Sequence, residues 1–364
     1  MFVAQMTRSA LGMVFGTVLV FLLEISDLQA QSFYAGKTVQ LMVGFSPGGA
    51  ADVFTRLLGR HLGKHIPGNP TVIVQNMTGA GGQVLWNWGY TRAKPDGLTL
   101  IGATGSFPIK QMLDIPGVQF DYRKVYILAG IRVDNSVMAS RSAVGARIEE
   151  LRKTEKPLLL PGESATSQSF MLMALALDMF GVKWKPVVGY PGLADIRLAM
   201  RRGDADLQLE AGSVYMVGMV PLEKEGIATR LMQTGVLAPE GGFERHPQFS
   251  DTPLFEELHR KIVGREPSGP RWEAFKTLAA LYSMPGIYWL PPGTPKERIE
   301  ILTDALDKLR DDPEYKADSK KIYGFAIPSM PLRRGSAAFE KILRDTPNEA
   351  IEAMRAFGKL QTAK

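Results

Sequence analysis

Short apolar runs alternate along this chain with stretches whose apolar positions recur every three or four residues, and glycine clusters mark the changeovers. Val39-Gln-Leu-Met-Val-Gly-Phe45 reads as a strand, Ser46-Pro-Gly-Gly-Ala-Ala-Asp52 as a turn, and a helix follows. Val72-Ile-Val-Gln75 leads into Gly79-Ala-Gly-Gly82 and a second helix, and Leu98-Thr-Leu-Ile-Gly102 ends in Ala103-Thr-Gly-Ser106. Such a βαβαβ opening predicts a parallel sheet with helical crossovers. Ligands of open α/β sheets bind beyond the carboxyl ends of the strands, where helix N-termini carry N–H groups without intrahelical partners. Three glycine-bearing loops at one sheet edge therefore predict a pocket for an anionic or acceptor-rich ligand.

The alternation continues. Residues 126–130 and 136–139 read as short strands, and Pro157-Leu-Leu-Leu160 as another, running into Pro161-Gly-Glu-Ser-Ala-Thr-Ser167. A strongly apolar helix is expected over residues 170–180, with Ser167 or Thr166 as its N-cap. Residues 185–188 lead through Gly189-Tyr-Pro-Gly192 to a helix ending near Arg202, and residues 205–209 and 229–233 read as strands. In the C-terminal third, Gly286-Ile-Tyr-Trp-Leu290 is strand-like. Pro291-Pro-Gly-Thr294 introduces an amphipathic helix with Ile299, Leu302, Leu306 and Leu309 at helical spacing. Asp312-Pro-Glu-Tyr315 opens a further helix, and residues 337–357 suggest a last one. The polar stretch 260–280, with Pro267 and Pro270, reads as an inserted surface excursion.

Composition is ordinary for a globular chain long enough for two domains: 364 residues, 45% hydrophobic and 22% charged. The N-terminus changes the picture. Arg8 precedes an apolar run over residues 10–23, and small and polar residues follow around Leu28-Gln-Ala30-Gln31. This is the layout of a secretory leader with cleavage expected after Ala30, the run being shorter than the roughly 20 residues a membrane span needs. With no cysteine in the chain, neither disulfides nor a lipid anchored through an N-terminal cysteine is possible, and a soluble exported protein is expected. The net charge is +6. Arg8 against Glu24 and Asp27 gives residues 1–30 a charge of −1, leaving +7 beyond them. That positive balance favours anionic partners, but it is dispersed over pairs such as Arg201-Arg202, Lys320-Lys321 and Arg333-Arg334, which argues against nucleic-acid binding.

Gly44-Phe-Ser-Pro-Gly48 matches the G-x-S-x-G nucleophile elbow, which would make Ser46 the nucleophile of a serine hydrolase. The residue after that nucleophile must give its N–H to the oxyanion hole, and Pro47 has none. As a ligand loop the same stretch works: Pro47 stiffens it, Gly48 and Gly49 let backbone approach a ligand, and Ala50 and Ala51 stay clear. Gly79-Ala-Gly-Gly82 lacks the third glycine of a dinucleotide fingerprint and is read as a tight turn against the sheet. Of four histidines, His61 and His65 stand four apart on the first helix, and with no third ligand in view they read as a solvated face rather than a metal site. Tyr190 and Glu210 each follow a strand end, where either a crevice or a local turn would account for them.

These segments resemble the Bug family, the TctC-like extracytoplasmic receptors of tripartite tricarboxylate transporters. The resemblance rests on Lys37-Thr-Val-Gln-Leu-Met-Val-Gly-Phe-Ser-Pro-Gly-Gly-Ala-Ala-Asp52, Val74-Gln-Asn-Met-Thr-Gly-Ala-Gly-Gly82 and Lys94-Pro-Asp-Gly-Leu-Thr-Leu100. Further along it rests on Gly189-Tyr-Pro-Gly-Leu-Ala-Asp-Ile-Arg197, Arg202-Gly-Asp-Ala-Asp-Leu207 and Pro292-Gly-Thr-Pro295. It implies an α/β periplasmic-binding-protein type II fold, two lobes with a hinge and an interlobe cleft, lobe I being residues 33–132 plus 236–364 and lobe II residues 133–235. By the same resemblance, Phe45, Ser46, Gly48, Gly49 and Ala50 would hold a ligand carboxylate, partly through water. Thr104, Gly105 and Ser106 would add to them from the same lobe, and Ser164, Ala165, Thr166 and Ser167 from the other, with Tyr190 and Glu210 nearby. The chain departs from the family at Gln75-Asn-Met-Thr78, where Glu-Asn-Arg-Pro is usual. It departs again in its second-lobe loop, where Glu163 brings a carboxylate, and at Glu210, which replaces a usual aspartate.

The implied function is a periplasmic, monomeric receptor without catalytic activity, cofactor or metal. It would capture a small carboxylate or amino-acid-like solute for the membrane permease subunits of a transporter. A ligand-sensing partner of a membrane signalling kinase would use the same fold, and the serine hydrolase remains the reading from a third class.

Overall fold

Strand, turn and helix follow one another as the hydrophobic pattern predicts. The computed structural model describes residues 33–45, 47–48, 50–130, 135–190, 192–238, 242–283, 286–323 and 341–359. The expected leader and its cleavage after Ala30 lie outside these residues, as do Ser46 and Gly49. The chain opens with β1 (Thr38–Val43), α1 (Ala50–Leu62), β2 (Thr71–Asn76), α2 (Gln83–Thr91), β3 (Thr99–Ala103), α3 (Ser106–Met112) and β4 (Tyr126–Gly130). Next come β5 (Ser136–Arg141), β6 (Leu158–Gly162), α4 (Gln168–Phe180), β7 (Trp184–Val188), α5 (Leu193–Arg202), β8 (Leu207–Ala211), α6 (Gly212–Gly218) and β9 (Ala228–Gln233). A small hairpin of β10 (Val236–Leu237) and β11 (Phe243–Glu244) leads to α7 (Phe255–Val263) and α8 (Pro270–Tyr282). The chain closes with β12 (Ile287–Leu290), α9 (Lys296–Asp311), α10 (Pro313–Tyr323) and α11 (Asn348–Gly358).

The first sheet has the order β2-β1-β3-β12-β4, with β12 antiparallel to both neighbours and β1 parallel to β2 and β3. Both of its faces are covered. Val39 and Leu41 of β1 share a core with Leu57 and Leu58 of α1 and Leu302 and Leu306 of α9, while Met42 turns to the opposite core with Trp86 and Ile101. The second group repeats the scheme. β5 runs antiparallel between β8 and β9, and β7 lies parallel to β6. β6 meets β8 where the Asp206 N–H donates to the Leu159 carbonyl and the Asp206 carboxylate accepts from the Leu159 N–H, at 3.0 and 2.9 Å. The order β7-β6-β8-β5-β9 thus mirrors that of the first sheet, with β5 and β12 as the antiparallel insertions.

The expected amphipathic helix is α9, whose Ile299, Leu302, Leu306 and Leu309 are buried. Two expectations need correction. Residues 260–280 are no surface excursion: Pro270 starts α8 at a position where its missing N–H costs nothing, and Trp272, Phe275, Leu278, Ala279 and Leu281 of that helix are core. The last helix does not run unbroken to residue 357 either. Residues 337–340 lie outside the described residues, the chain leaves the helix at Thr346, and Pro347 caps α11 with extended backbone.

Candidate functional site

At the end of β1 the loop is tied down by a buried carboxylate. Asp52, in the first turn of α1 and 1% exposed, accepts from the Gly48 N–H at 2.8 Å, Arg56 Nε at 2.9 Å and Asn76 Nδ2 at 2.8 Å. Asn76, the last residue of β2, also donates to the Phe45 carbonyl at 2.9 Å and accepts from Arg56 at 2.9 Å. Burial alone would push the Asp52 carboxyl up; the hydrogen bonds from Arg56, Gly48 and Asn76 outweigh it and hold it below the ordinary value. Gly48 therefore gives its N–H to the protein's own carboxylate. Phe45 is half-buried, and the backbone of Ala50 begins α1. Sequence reasoning missed Asp52 and Asn76 as organisers, although both lie inside the segments that carry the resemblance.

After β3, Thr104 Oγ1 and Ser106 Oγ share a hydrogen bond of 2.6 Å, and both residues are half-buried. Gly105 between them has ordinary right-handed backbone, with φ −55°. Its glycine is a matter of space: a Cβ there would lie 1.8 Å from the Leu281 carbonyl oxygen of α8.

After β6, the Ser164 carbonyl accepts from both the N–H and the Oγ of Ser167, and Ala165 is fully buried. Ser167 caps α4 with extended backbone and no side-chain cap bond. Gln168 reaches out of the first turn of α4, and its Nε2 donates to the Leu278 carbonyl of α8 at 2.7 Å. Leu278 and Leu281 are one helical turn apart. The loop after β3 and the first turn of α4, which follow strands of different sheets, thus meet on the C-terminal turns of one helix. That helix is the segment the sequence pattern left at the surface.

Glu163, in the second loop, has no ion-pair partner among the described residues. Its side chain reaches solvent, yet the protein around it pushes its carboxyl above the ordinary value by desolvation.

Tyr190 and Glu210 are placed differently from the serine and threonine loops. Tyr190 lies beside the end of β6, its N–H near the Gly162 carbonyl, and its hydroxyl donates to the Asp204 carbonyl at 3.3 Å. Glu210 is fully buried in β8 under α5, paired with Arg197 Nη1 at 2.6 Å and accepting from Gln208 Nε2 at 2.7 Å. Burial raises its carboxyl above the ordinary value, against the pull of Arg197 and Gln208. Among the described residues no hydrogen bond joins either side chain to residues 104–106 or 164–167.

The histidine pair is not a solvated face. His61 on α1 is buried with its Nε2 3.1 Å from Asp318 in the middle of α10, and His65, in the turn just past α1, has its Nε2 2.8 Å from Asp312 at the start of α10. Ligand atoms of His61, Asp312 and Glu314 fall within 4.8 Å of one another, but the Lys64 ammonium sits 2.6 Å from both carboxylates and already compensates them. A groove lined by Asp178, Trp184, Arg271, Glu349 and Phe357 lies at the far end of α4, about 15–20 Å from residues 164–167 at 1.5 Å per residue.

No family model matches the sequence. A stretch of 76 residues is 40% identical to the protein BugT of Bordetella pertussis, and it spans 21% of this chain and 22% of that protein's length. The solved periplasmic binding protein BugD superposes with a TM-score of 0.63 at 18% identity, covering 90% of this chain and 98% of that one. MatC of Rhodopseudomonas palustris, solved with malate, gives 0.60 at 19% identity over 89% and 98%. A second R. palustris protein, solved with adipate, gives 0.63 at 19% identity over 88% and 97%. The fold is that of the two-lobed periplasmic binding proteins. The protein matched in sequence and one of the solved structures carry Bug names, and a further solved structure, a TctC solute-binding protein from Polaromonas, superposes with a TM-score of 0.61 at 18% identity over 90% of this chain and 99% of that one. Among the described residues no helix is long and apolar enough to cross a membrane.

Proposed function

We propose that the chain is an extracytoplasmic solute receptor. In this reading residues 1–30 are a secretory leader cleaved after Ala30, and the mature protein is a soluble periplasmic monomer. Residues 33–132 with 236–364 form one lobe and residues 133–235 the other. A small carboxylate or amino-acid-like solute is held between them and passed to the permease subunits of a tripartite tricarboxylate-type transporter. The protein has no catalytic role.

The observation that carries this reading is the meeting of the loop after β3 and the start of α4 on the C-terminal turns of α8. Thr104 and Ser106 bring hydroxyls to that junction from one side, and the start of α4 brings Ser164, Thr166, Ser167 and backbone N–H groups from the other. A helix of 13 residues carries a usable positive end, which suits a carboxylate. Phe45, Ser46, Gly48, Gly49 and Ala50 form the wall after β1 in this proposal, Gly105 and Ala165 supply close backbone, and Tyr190 and Glu210 stand behind the second wall. Two of the fold's relatives were solved with malate and with adipate, which makes dicarboxylates the first solutes to try.

Thermal unfolding against a panel of mono- and dicarboxylates, amino acids and aromatic acids tests the proposal. A true solute at 100 times its dissociation constant stabilises the native state by about 2.7 kcal/mol. Protein refolded from denaturant to strip endogenous ligand should respond to at least one class of the panel. No response to any compound removes the proposal.

A further inference from the structure

One charged side chain stands among the loops of the first sheet without a counter-charge. Lys110 lies on α3, one turn beyond Ser106 and so on the same face of that helix. Its Nζ lies 3.7 Å from where a Cβ on Gly81 would be, and no other neighbour crowds that position. Gly81 belongs to the left-handed turn after β2, with φ +58°, and the adjoining Gly82 backs directly onto Gly44 at the end of β1. The turn after β2, which itself abuts the end of β1, therefore lies against the ammonium of a helix that begins at the loop after β3.

Other charged side chains of the loops and helices around this sheet are compensated: Asp52 by Arg56, Asp121 by Arg123, Asp114 by Arg355. Lys110 has no ion pair among the described residues. It is half-buried, and burial draws its pKa below the ordinary lysine value. Holding an ammonium in a partly desolvated place without an anion is unfavourable, so the site is completed when an anion arrives. The hydroxyls of Thr104 and Ser106 on the same side offer neutral donors to go with it.

Building on the receptor reading, we propose that Lys110 is the specificity-determining cation of the solute site, pairing directly with a carboxylate of the bound solute. Neutral loop amides and hydroxyls bind any acceptor-rich group. A side-chain ammonium distinguishes an ionised carboxylate from its amide or ester.

Calorimetric titration of wild type, Lys110→Met and Lys110→Arg with malate, adipate and aspartate at neutral pH is the test. Wild type should bind at least one of these. Lys110→Met should bind it at least tenfold more weakly, and Lys110→Arg within a few-fold of wild type. The wild-type affinity should also fall more steeply with added salt than that of Lys110→Met, because only wild type makes the charge pair. Lys110→Met is expected to fold, since it keeps the length of the side chain and removes an uncompensated charge; thermal unfolding without solute verifies this. If Lys110→Met binds as wild type does, this inference falls and the receptor reading stands. If wild type binds none of the three while another member of the wider panel stabilises it, the inference falls and the receptor reading stands. Silence from the whole panel removes both.

Discussion

Asp52 and Gly105 do opposite kinds of work at single positions. Asp52 is a buried anion with three donors, so Asp52→Ala strips the Gly48 N–H, Arg56 and Asn76 of their shared acceptor. A loss of about 2–3 kcal/mol is expected at neutral pH. Because the native carboxyl titrates below its ordinary value, its stabilisation is present above that value and disappears as pH falls through the native one. Urea unfolding of wild type and variant at pH 7 and at progressively lower pH should show the gap closing toward acid. Gly105→Ala works by crowding, since the new methyl meets a helix carbonyl that cannot swing aside. Overpacking of this sort costs about 1–3 kcal/mol and should appear as a lowered unfolding midpoint. Glu163 offers the reverse pH dependence. Its carboxyl is raised by desolvation, so its ionised form is a burden that appears as pH rises through the native pKa. Glu163→Gln should stabilise at pH 7 and be neutral well below the ordinary carboxyl value, which thermal melts at the two pH values would reveal.

At the scale of elements, α8 is the piece on which the site reading depends and the piece the sequence pattern hid. The strand–glycine–helix units were legible because apolar runs and glycine turns are local signals, and α9 was legible from its spaced leucines. α8 follows a polar stretch with two prolines. Its buried face is broad because both halves of the molecule pack on it, leaving little of the one-sided pattern that marks a surface helix. The clasp at Asp52 was invisible for another reason: it needs Asn76 from the next strand, a partner that only the parallel pairing of β1 and β2 supplies. The same holds for Lys110, which gains meaning only once the turn after β2 lies beneath it. Gln168→Leu tests the bridge from α4 to α8. It removes the donor to the Leu278 carbonyl, and a loss of about 1–2 kcal/mol is expected. On the receptor reading, solute affinity should fall as well, because the loop before α4 loses its anchor. Gln168→Glu, which sets a carboxylate against that carbonyl in a buried place, should destabilise more than Gln168→Leu and lower the affinity at least as far.

For the molecule as a whole, the chain crosses between the two groups of strands on the way to β5 and again on the way to β12, each the antiparallel strand of its own sheet. The core adds a coupling of its own. A continuous apolar cluster runs from Trp86, Ile101 and Phe107 around the first sheet, through Phe275, Leu278 and Leu281 of α8, to Phe170, Leu172 and Leu175 of α4 beside the second. Proteins of two domains commonly unfold in separable steps, each domain with its own core. Here α8 cannot leave one half without exposing apolar surface of the other, and at about 25 cal/mol per Å² that exposure is costly enough to link the two transitions. Scanning calorimetry should therefore give one endotherm, with the calorimetric enthalpy close to the van't Hoff value. On the receptor reading a bound solute should move the whole endotherm upward, since it would touch both halves. In Gly105→Ala, where the seat of α8 on the first sheet is spoiled, the endotherm should broaden or split. Two resolved endotherms in the wild type would mean that α8 belongs to one half alone, and that the junction of the two loops is a contact of convenience rather than the frame of the site.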